Sequence, residues 1–296
     1  MPWSYTAVIT LGTTATLLLL EFATGVARGR KVYALRDTLA NVSAYLLYLV
    51  IAAVYGYLAY LIMIYAQLTY NLFFARALGV AYWPCLILAE DFCFYCFHRS
   101  SHKFGLLWAS HVTHHSSDRF NLSTGLRQTW VPFVALPFWL PLALIGFDPV
   151  HILMVQSASL FYQFLMHTQV IDLPWVWGLL FNTPSHHRVH HGRNPQYIDR
   201  NFGGLLIVWD RLFGTFTAEA APVHFGVEPA PARSEVLFIQ FAGFADWLQS
   251  LIGRTKLMPK EDGYAIQKNS YALAVLLFFV CAAALIGAIL HPRWFL

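Results

Sequence analysis

The chain has 296 residues, of which 58% are hydrophobic, 17% are aromatic and only 11% are charged. An ordinary soluble domain has roughly 45–50% apolar and about 25% charged residues. One soluble core could not hide this much apolar surface, so the composition argues against a cytosolic globular enzyme, a disordered chain and a small disulfide scaffold. The net charge of +4 is too small to indicate nucleic-acid binding. The sequence predicts an integral membrane protein.

Six stretches of nearly uninterrupted apolar residues predict membrane helices. They cover residues 6–24, 38–66, 79–97, 130–147, 150–166 and 271–290. The fourth stretch contains three prolines, and only Asp148-Pro149 separates it from the fifth. These two form either a full spanning hairpin or a kinked re-entrant pair. The N-terminus lacks the basic start of a cleaved signal peptide, so we expect the first stretch to be a retained anchor.

The Lys and Arg residues are distributed unevenly along the chain. If the loop after the first stretch is cytoplasmic, strict alternation places 98–129 and 167–270 on the same side. These three regions contain all 19 Lys and Arg residues except Arg76 and Arg293. Because cytoplasmic loops are enriched in Lys and Arg, this topology is favoured. We expect a multi-pass protein of a bacterial inner membrane or of the endoplasmic reticulum.

The predicted fold is an all-α, polytopic membrane helical bundle with a cytosolic helical cap, forming one integral membrane domain over residues 1–296. Within the cap, residues 202–216 and 235–252 have apolar stripes with helical periodicity. Each of these segments is predicted to be either an amphipathic helix lying on the bilayer or an ordinary helix packed on the rest of the cap.

Nine of the thirteen histidines lie within residues 98–115 and 186–191. Eight of them form three motifs, one HxxxH and two HxxHH: His98 and His102; His111, His114 and His115; His187, His190 and His191. Residues three or four apart share a helix face, so each motif directs two or three imidazoles to one point. That geometry suits a metal ion, and neutral imidazole binds zinc, copper, iron and nickel. The HxxHH spacing favours His187 over the adjacent His186 as a ligand.

Eight motif histidines exceed the four ligands of a tetrahedral site, so two metal ions with open positions are indicated. Such a pair suits oxidation of an unactivated C–H bond by O₂. The alternative is a histidine-rich metal transporter or sensor. It would predict ionisable residues at mid-bilayer in several helices and often an internal repeat. The sequence shows no repeat and places its histidines at the membrane rim, which favours the enzyme.

The surroundings of the motifs add a family resemblance. The segments are DFCFYCFHR at 91–99, WASH at 108–111, HHSS at 114–117, NLSTGLRQ at 121–128, NTPSHHRVHHGRNP at 182–195, NFGG at 201–204 and WDRLFGTF at 209–216. Together they resemble the fatty acid hydroxylase / sterol desaturase superfamily of membrane di-iron enzymes, most closely its branch of alkylglycerol monooxygenases and their bacterial relatives. The resemblance covers roughly 85–218, which we expect to form the catalytic core.

The resemblance implies a set of ligands for two iron ions that cycle between Fe²⁺ and Fe³⁺. The implied ligands are His98, His102, His111, His114, His115, His167, His187, His190 and His191. His167 occupies the place of an additional histidine that superfamily members often carry between the second and third motifs. Some members have a further histidine four residues earlier, where this chain has Gln163. Nine ligands are therefore expected rather than ten, and no catalytic residue beyond them.

The resemblance also implies an activity. It points to an O₂-dependent di-iron oxidoreductase that hydroxylates a fatty acyl chain, an alkyl ether lipid or a sterol. Desaturation of such a lipid is the alternative, because the two reactions differ only in the fate of the substrate radical. Side chains such as Phe94, Phe161 and Tyr162 are expected to line the lipid cleft.

The source of electrons is expected to lie outside the chain. The sequence has no Gly-rich dinucleotide fingerprint, no CxxCH haem motif and no cysteine cluster for iron and sulfur. We therefore expect a separate electron-donor protein or, if the resemblance to the alkylglycerol monooxygenases holds, a reduced pterin.

Three acidic residues are candidates for orienting the ligand imidazoles. Asp91 precedes His98 by seven residues and His102 by eleven, so the three share one helix face. Asp91 is expected either to accept the second N–H of a ligand imidazole or to pair with a cation such as Arg99. Asp199 and Asp210 are candidates for the same orienting role.

Overall fold

The computed structural model describes residues 3–70, 74–227 and 236–251. Within these ranges the chain is helical and contains no β-strand, only an isolated bridge between Phe181 and Leu206. The α-helices of the described ranges are α1 Trp3–Ala27, α2 Leu35–Tyr70, α3 Tyr82–Ser101, α4 Gly105–His115, α5 Leu136–Leu144, α6 Pro149–Met166, α7 Pro184–His190, α8 Val208–Leu212 and α9 Val236–Leu251. The expected all-α fold is confirmed.

Three helical segments of the described ranges are long and apolar enough to cross a membrane. They are Ile9–Ala27 in α1, Leu35–Tyr70 in α2 and Ala77–Ser101, which includes α3. These agree with the first three predicted stretches, and the protein is an integral membrane protein. The predicted helix at 271–290 lies outside the described residues.

The tip of the hairpin formed by α5 and α6 lies beside the first residues of α3, at the end of α3 opposite His98. The helical run Pro132–Leu144 rises only about 20 Å, less than the hydrocarbon core of about 30 Å. However, the hairpin tip bonds to the segment at the start of α3. The Asp148 N–H donates to the Tyr82 hydroxyl at 2.9 Å, and the Ala75 N–H donates to the Ile145 carbonyl at 3.1 Å. The contacts favour the full spanning hairpin over the kinked re-entrant pair.

Capping residues in the sequence explain where two of the helices that carry the site begin. The Asp148 carboxylate accepts the Val150 N–H at 2.8 Å, and Pro149 occupies the first helical position of α6. The Thr183 hydroxyl accepts the His186 N–H at 3.3 Å, and Pro184 begins α7 in the same way. These caps begin the two helices, of which α6 is followed directly by His167 and α7 carries His187 and His190.

The predicted helix at 202–216 is wrong for most of its length. Only Val208–Leu212 is helical, because the Asp210 carboxylate accepts the N–H groups of Phe202 and Gly203 at 2.8 and 2.7 Å and bends the chain back on itself. Asp210 also accepts the Thr215 hydroxyl at 2.6 Å. The apolar stripe therefore belongs to a folded loop around a buried carboxylate.

The predicted helix at 235–252 is confirmed as α9 and packs against α4. The Thr113 hydroxyl donates to the Ile239 carbonyl at 3.1 Å. Gly243 lies so close to α4 that a Cβ there would be 2.5 Å from a Val112 methyl carbon and 2.8 Å from the Ala109 carbonyl oxygen. This helix is therefore part of the packed cap.

Candidate metal centre

Four segments bring nine histidines together at one end of the helical bundle. They are the end of α3 with the residue after it, the face of α4, the residue that ends α6, and α7 with the residue after it. The i, i+3 and i, i+4 spacings within α4 and α7 place their imidazoles on one side of each helix. The nine residues are those that the sequence identified.

The first group contains five histidines whose candidate ligand atoms all lie within 4.8 Å of one another. Its members are His98, His102, His111, His115 and His190. The Nε2 atom of His111 lies 3.0 Å from that of His98 and 3.1 Å from that of His115. The Nε2 atom of His190 lies 3.1 Å from that of His115. Five imidazoles thus converge on a single point.

The second group contains four buried histidines that meet the same distance limit. Its members are His114, His167, His187 and His191. The Nε2 atom of His167 lies 3.1 Å from that of His114 and 3.0 Å from that of His187. The two groups adjoin, since the rings of His115 and His191 stack with centroids 4.3 Å apart.

Backbone carbonyls orient four of these imidazoles. The Nδ1 atoms of His98 and His190 lie 2.8 and 2.9 Å from the carbonyl oxygens of Phe202 and Arg200. In the second group, the Nδ1 atoms of His114 and His167 lie 3.3 and 2.8 Å from carbonyl oxygens of Arg127 and Gln163. A carbonyl only accepts, so Nδ1 carries the hydrogen and a neutral ring presents its Nε2 lone pair to the group.

In the second group, nitrogen lone pairs face each other. This geometry shows whether the residues present fit a metal ion. The Nε2 atoms of His114 and His167 are both acceptors, yet they lie 3.1 Å apart. A proton between them is disfavoured, since burial lowers the pKa of His114 to about 4. The Nε2 atom of His102 in the first group is buried without a hydrogen-bond partner in the described chain. Buried, opposed nitrogen lone pairs suit a metal cation that binds imidazole.

Burial and mutual repulsion keep the other imidazoles neutral. Burial lowers the pKa of His115 and of His191 well below the usual value, and neighbouring histidines lower it further. The same causes act on His187, where burial is followed by the effect of His167. Because only the neutral ring offers a lone pair, the site is ready for a metal ion at neutral pH.

The structure separates His186 from His187. His187 points into the second group, whereas His186 lies against the Phe216 ring with centroids 5.3 Å apart and belongs to neither group. The HxxHH spacing had favoured His187 for this position. His151 and His224 also lie outside both groups.

The expectation for Asp91 is wrong. Its carboxylate accepts the N–H groups of Leu205 and Leu206 at 2.7 and 3.1 Å and the indole N–H of Trp209 at 2.8 Å. It therefore contacts neither a ligand imidazole nor Arg99. The sequence spacing placed Asp91 on the correct helix face, but the loop that follows Asn201 covers that face. Asp91 holds this loop against α3.

Asp210 supports His98 indirectly, through the backbone of Phe202, whereas Asp199 lies beside His102. The fully buried Asp210 holds the Phe202 and Gly203 amides, and the Phe202 carbonyl faces His98. Burial raises the pKa of Asp210 to about 6 against the opposing effect of its hydrogen bonds. Within the described ranges, Asp210 makes no direct contact with an imidazole. Asp199 lies 3.6 Å from the Nδ1 atom of His102 and pairs with Lys103.

A buried network that sequence reasoning missed supports His114. The Arg127 guanidinium donates to Asp37 at 2.5 Å, to Asn41 at 2.5 Å and to the Ser116 hydroxyl at 2.9 Å. The Arg127 carbonyl is the group that faces His114 Nδ1. The network links the start of α2 to the segment after α4. The available signal was Asp37, an acidic residue directly before the predicted span at 38–66.

Comparisons with known proteins agree with this site. Residues 83–215 match the model of the fatty acid hydroxylase family. The chain is 39% identical to human alkylglycerol monooxygenase over 76% of this chain and 51% of that protein. It is 44% identical to the alkylglycerol monooxygenase of Danio rerio over 54% of this chain and 36% of that protein.

A bacterial lipid enzyme is also similar. The chain is 32% identical to the ornithine lipid hydroxylase of Rhizobium tropici over 44% of this chain and 40% of that protein. The chain thus spans about half the length of the human relative and less of the other two. No solved structure matches it significantly. Residues 83–215 thus match the fatty acid hydroxylase family, and the chain fits the fatty acid hydroxylase / sterol desaturase superfamily.

Proposed function

We propose that this chain is a membrane-bound di-iron oxygenase that hydroxylates a lipid with O₂ and externally supplied electrons. The observation that carries the proposal is the convergence of nine imidazoles, seven buried and two partly buried, into two adjoining groups at one end of membrane-crossing helices. The similarity to lipid hydroxylases and monooxygenases supports the reaction class. Because the chain spans only part of those relatives, the activity is a proposal.

In this proposal each group of histidines holds one iron ion. His98, His102, His111, His115 and His190 would bind the first ion, and His114, His167, His187 and His191 the second. When bound, the two irons supply the activation of O₂ that oxidation of a C–H bond requires. The chain's own part is to hold the imidazoles in one tautomer through backbone carbonyls and to exclude water by burial.

The lipid would approach from the side of α3 and α6. The buried Phe94 ring lies 5.1 Å from the His98 ring, so it forms an apolar wall of the first group. Phe161 on α6 is half-exposed on the outside of the bundle, where acyl chains would surround it. Tyr162 donates its hydroxyl to the Asn182 carbonyl at 2.6 Å and so joins α6 to the start of the α7 segment.

Electrons would come from a separate donor protein or, following the resemblance to the alkylglycerol monooxygenases, from a reduced pterin. We place the metal groups on the cytoplasmic side because Arg28, Arg30 and Lys31 follow α1 at the same end of the bundle. Single cysteines at Asp118 and Asp148 in a cysteine-free background would test this. A membrane-impermeant thiol reagent applied to intact cells should label position 148 only, and labelling of position 118 instead would reverse the topology.

Metal analysis combined with lipid mass spectrometry tests the function. Iron should copurify with the full chain, and cells that contain it should accumulate lipids or lipid fragments with one added oxygen. The His190→Ala variant should abolish this product, whereas His224→Ala, outside both groups, should not. Lipids that lose two hydrogens would show desaturation instead. Metal flux across vesicles without lipid oxidation would favour the transporter alternative.

A further inference from the structure

A charged cavity lies beside the second histidine group and has no part in metal binding. It has a volume of about 330 Å³, and its lining includes Arg30, Gln169, Asp172, Arg188, Glu219 and Phe225. Gln169 follows His167 by two residues, and Arg188 follows His187 directly. The ring of Phe225 stacks on that of Phe120 at 4.8 Å, and Phe120 stacks on His167 at 5.4 Å. Two aromatic rings thus lie between the cavity and the imidazoles.

The cavity lies at the level of the lipid headgroups. Arg30 is three residues beyond the end of the membrane-crossing helix α1, where Arg and Lys side chains meet the bilayer surface. Asp172 lies within a loop of exposed apolar residues. In that loop Ile171 is 50%, Trp175 79% and Leu180 57% exposed. Tryptophan is enriched at membrane interfaces, so this loop and α1 both place the cavity at the membrane surface.

The walls of the cavity carry a separated positive and negative charge. The Arg30 guanidinium donates to the Gln169 carbonyl, and its other N–H groups have no hydrogen-bond partner in the described ranges. Arg188 is neutralised by two carboxylates, at 2.7 Å from Asp172 and 2.7 Å from Glu219. Two carboxylates against one guanidinium leave a net negative charge. The side chain of Asp172 is 60% exposed and presents that charge to the opening.

We propose that this cavity binds the zwitterionic headgroup of the lipid substrate, with its phosphate on Arg30 and its ammonium on Asp172 and Glu219. Guanidinium binds phosphate oxygens through charge-assisted hydrogen bonds, and an ammonium group pairs with carboxylates. A phosphoethanolamine headgroup carries a phosphate and an ammonium group joined by one short linker, so it presents both charges to the oppositely charged walls of the cavity. The proposal rests on the proposed function, because it names the lipid class that the metal site would oxidise.

Binding without turnover tests this inference. The probes are lysophosphatidylethanolamine, lysophosphatidic acid and monoacylglycerol of one chain length, added under argon to the full chain in detergent micelles and followed by native mass spectrometry. The wild type should retain lysophosphatidylethanolamine about tenfold better than monoacylglycerol. Arg30→Gln should lose that advantage for both phosphate-bearing lipids. Lys31→Gln is the matched control, because Lys31 lies on the same loop outside the cavity, and it should leave binding unchanged.

Asp172→Asn separates the two halves of the headgroup. This nearly isosteric variant should retain lysophosphatidic acid and lose only the preference for the ethanolamine lipid. Equal effects of Arg30→Gln and Lys31→Gln would overturn the proposal, as would free phosphoethanolamine competing as well as the lipid. Lipid oxidation, measured separately, distinguishes the two proposals. Headgroup selectivity without lipid oxidation would support the headgroup cavity and contradict the oxygenase proposal. Lipid oxidation without headgroup selectivity would support the oxygenase proposal and contradict the headgroup cavity.

Discussion

The Nε2 atoms of His114 and His167 lie 3.1 Å apart, while the Nδ1 atom of each ring faces a backbone carbonyl. Each neutral ring therefore carries its hydrogen on Nδ1, and two lone pairs oppose each other in a buried space. Opposed lone pairs repel unless a cation lies between them. The arrangement explains why two histidines from elements far apart in the chain meet at this point.

Replacing His167 with alanine should remove the metal of the second group only. We expect the metal content to fall from about two ions per chain to about one, because the five histidines of the first group are unchanged. Lipid oxidation should fall by at least about 100-fold, since loss of even an indirect metal contact costs 10–100-fold. Elemental analysis of the purified chain measures the metal, and His186→Ala is the control. Two retained ions with full activity would contradict the assignment of His167.

The metal-free protein should lose stability as the pH falls below about 6.5. Burial lowers the pKa of His114 from 6.5 to about 4, so the unfolded chain binds more protons than the folded chain between these values. The stabilising contribution is complete above pH 6.5 and is lost as the pH approaches 4. His114 alone contributes about 3 kcal/mol. Thermal unfolding in detergent should show a midpoint that is flat above pH 7 and falls below it. A midpoint unchanged down to pH 5 would be inconsistent with this.

Separating Asp37 from Arg127 should destabilise the cap and weaken metal binding by the second group. Both side chains are mostly buried, and Asp37→Asn leaves an uncompensated guanidinium. Breaking such a pair costs about 3–5 kcal/mol. The double variant Asp37→Asn with Arg127→Gln should recover part of this loss, because no unpaired charge remains. Thermal unfolding and metal content of the two single variants and the double variant form the measurement. Strictly additive effects would show that the pair is not coupled.

Gly203→Ala should disrupt the loop that orients His98. A Cβ at this position would collide with the Leu206 carbonyl oxygen and lie 3.0 Å from an Asp210 oxygen. We expect a loss of about 1–3 kcal/mol in stability together with weaker metal binding by the first group. Gly56→Ala in α2 is the control. A Cβ there meets nothing within 4 Å, and alanine favours a helix by about 1 kcal/mol. Equal unfolding temperatures for Gly203→Ala and Gly56→Ala would argue against the close approach of Gly203 to the Leu206 carbonyl.

The order of the helices and the identity of the clustered histidines could be read from the sequence because both depend on local periodicity. The apolar stretches that form α1, α2 and α3 are longer than the apolar segments of a soluble core. The spacing in α4 and α7 places imidazoles on one face whatever the helices pack against. The choice of His187 over His186 follows from the same rule.

The partners of the histidines could not be read in this way. The sequence pointed to carboxylates as orienting groups, and the Nδ1 atom of His102 does lie 3.6 Å from Asp199. Four other Nδ1 atoms instead face the carbonyls of Phe202, Arg200, Arg127 and Gln163. Every residue has a carbonyl, so a side-chain pattern cannot mark the one that is used. The assumed helix at 202–216 failed for a related reason, because a buried Asp210 satisfies loop amides that helical hydrogen bonds would otherwise have used.

The sequence by itself determined that this is a helical membrane protein with imidazoles aimed from helix faces, because hydrophobicity and helical spacing act over a few residues. Only the tertiary structure decided how nine histidines divide into groups of five and four, and that a charged cavity lies beside the second group. The histidine groups join residues as distant in sequence as His98 and His190, and the cavity joins Arg30 to Phe225. Packing in three dimensions determines such distances, and no local pattern encodes them.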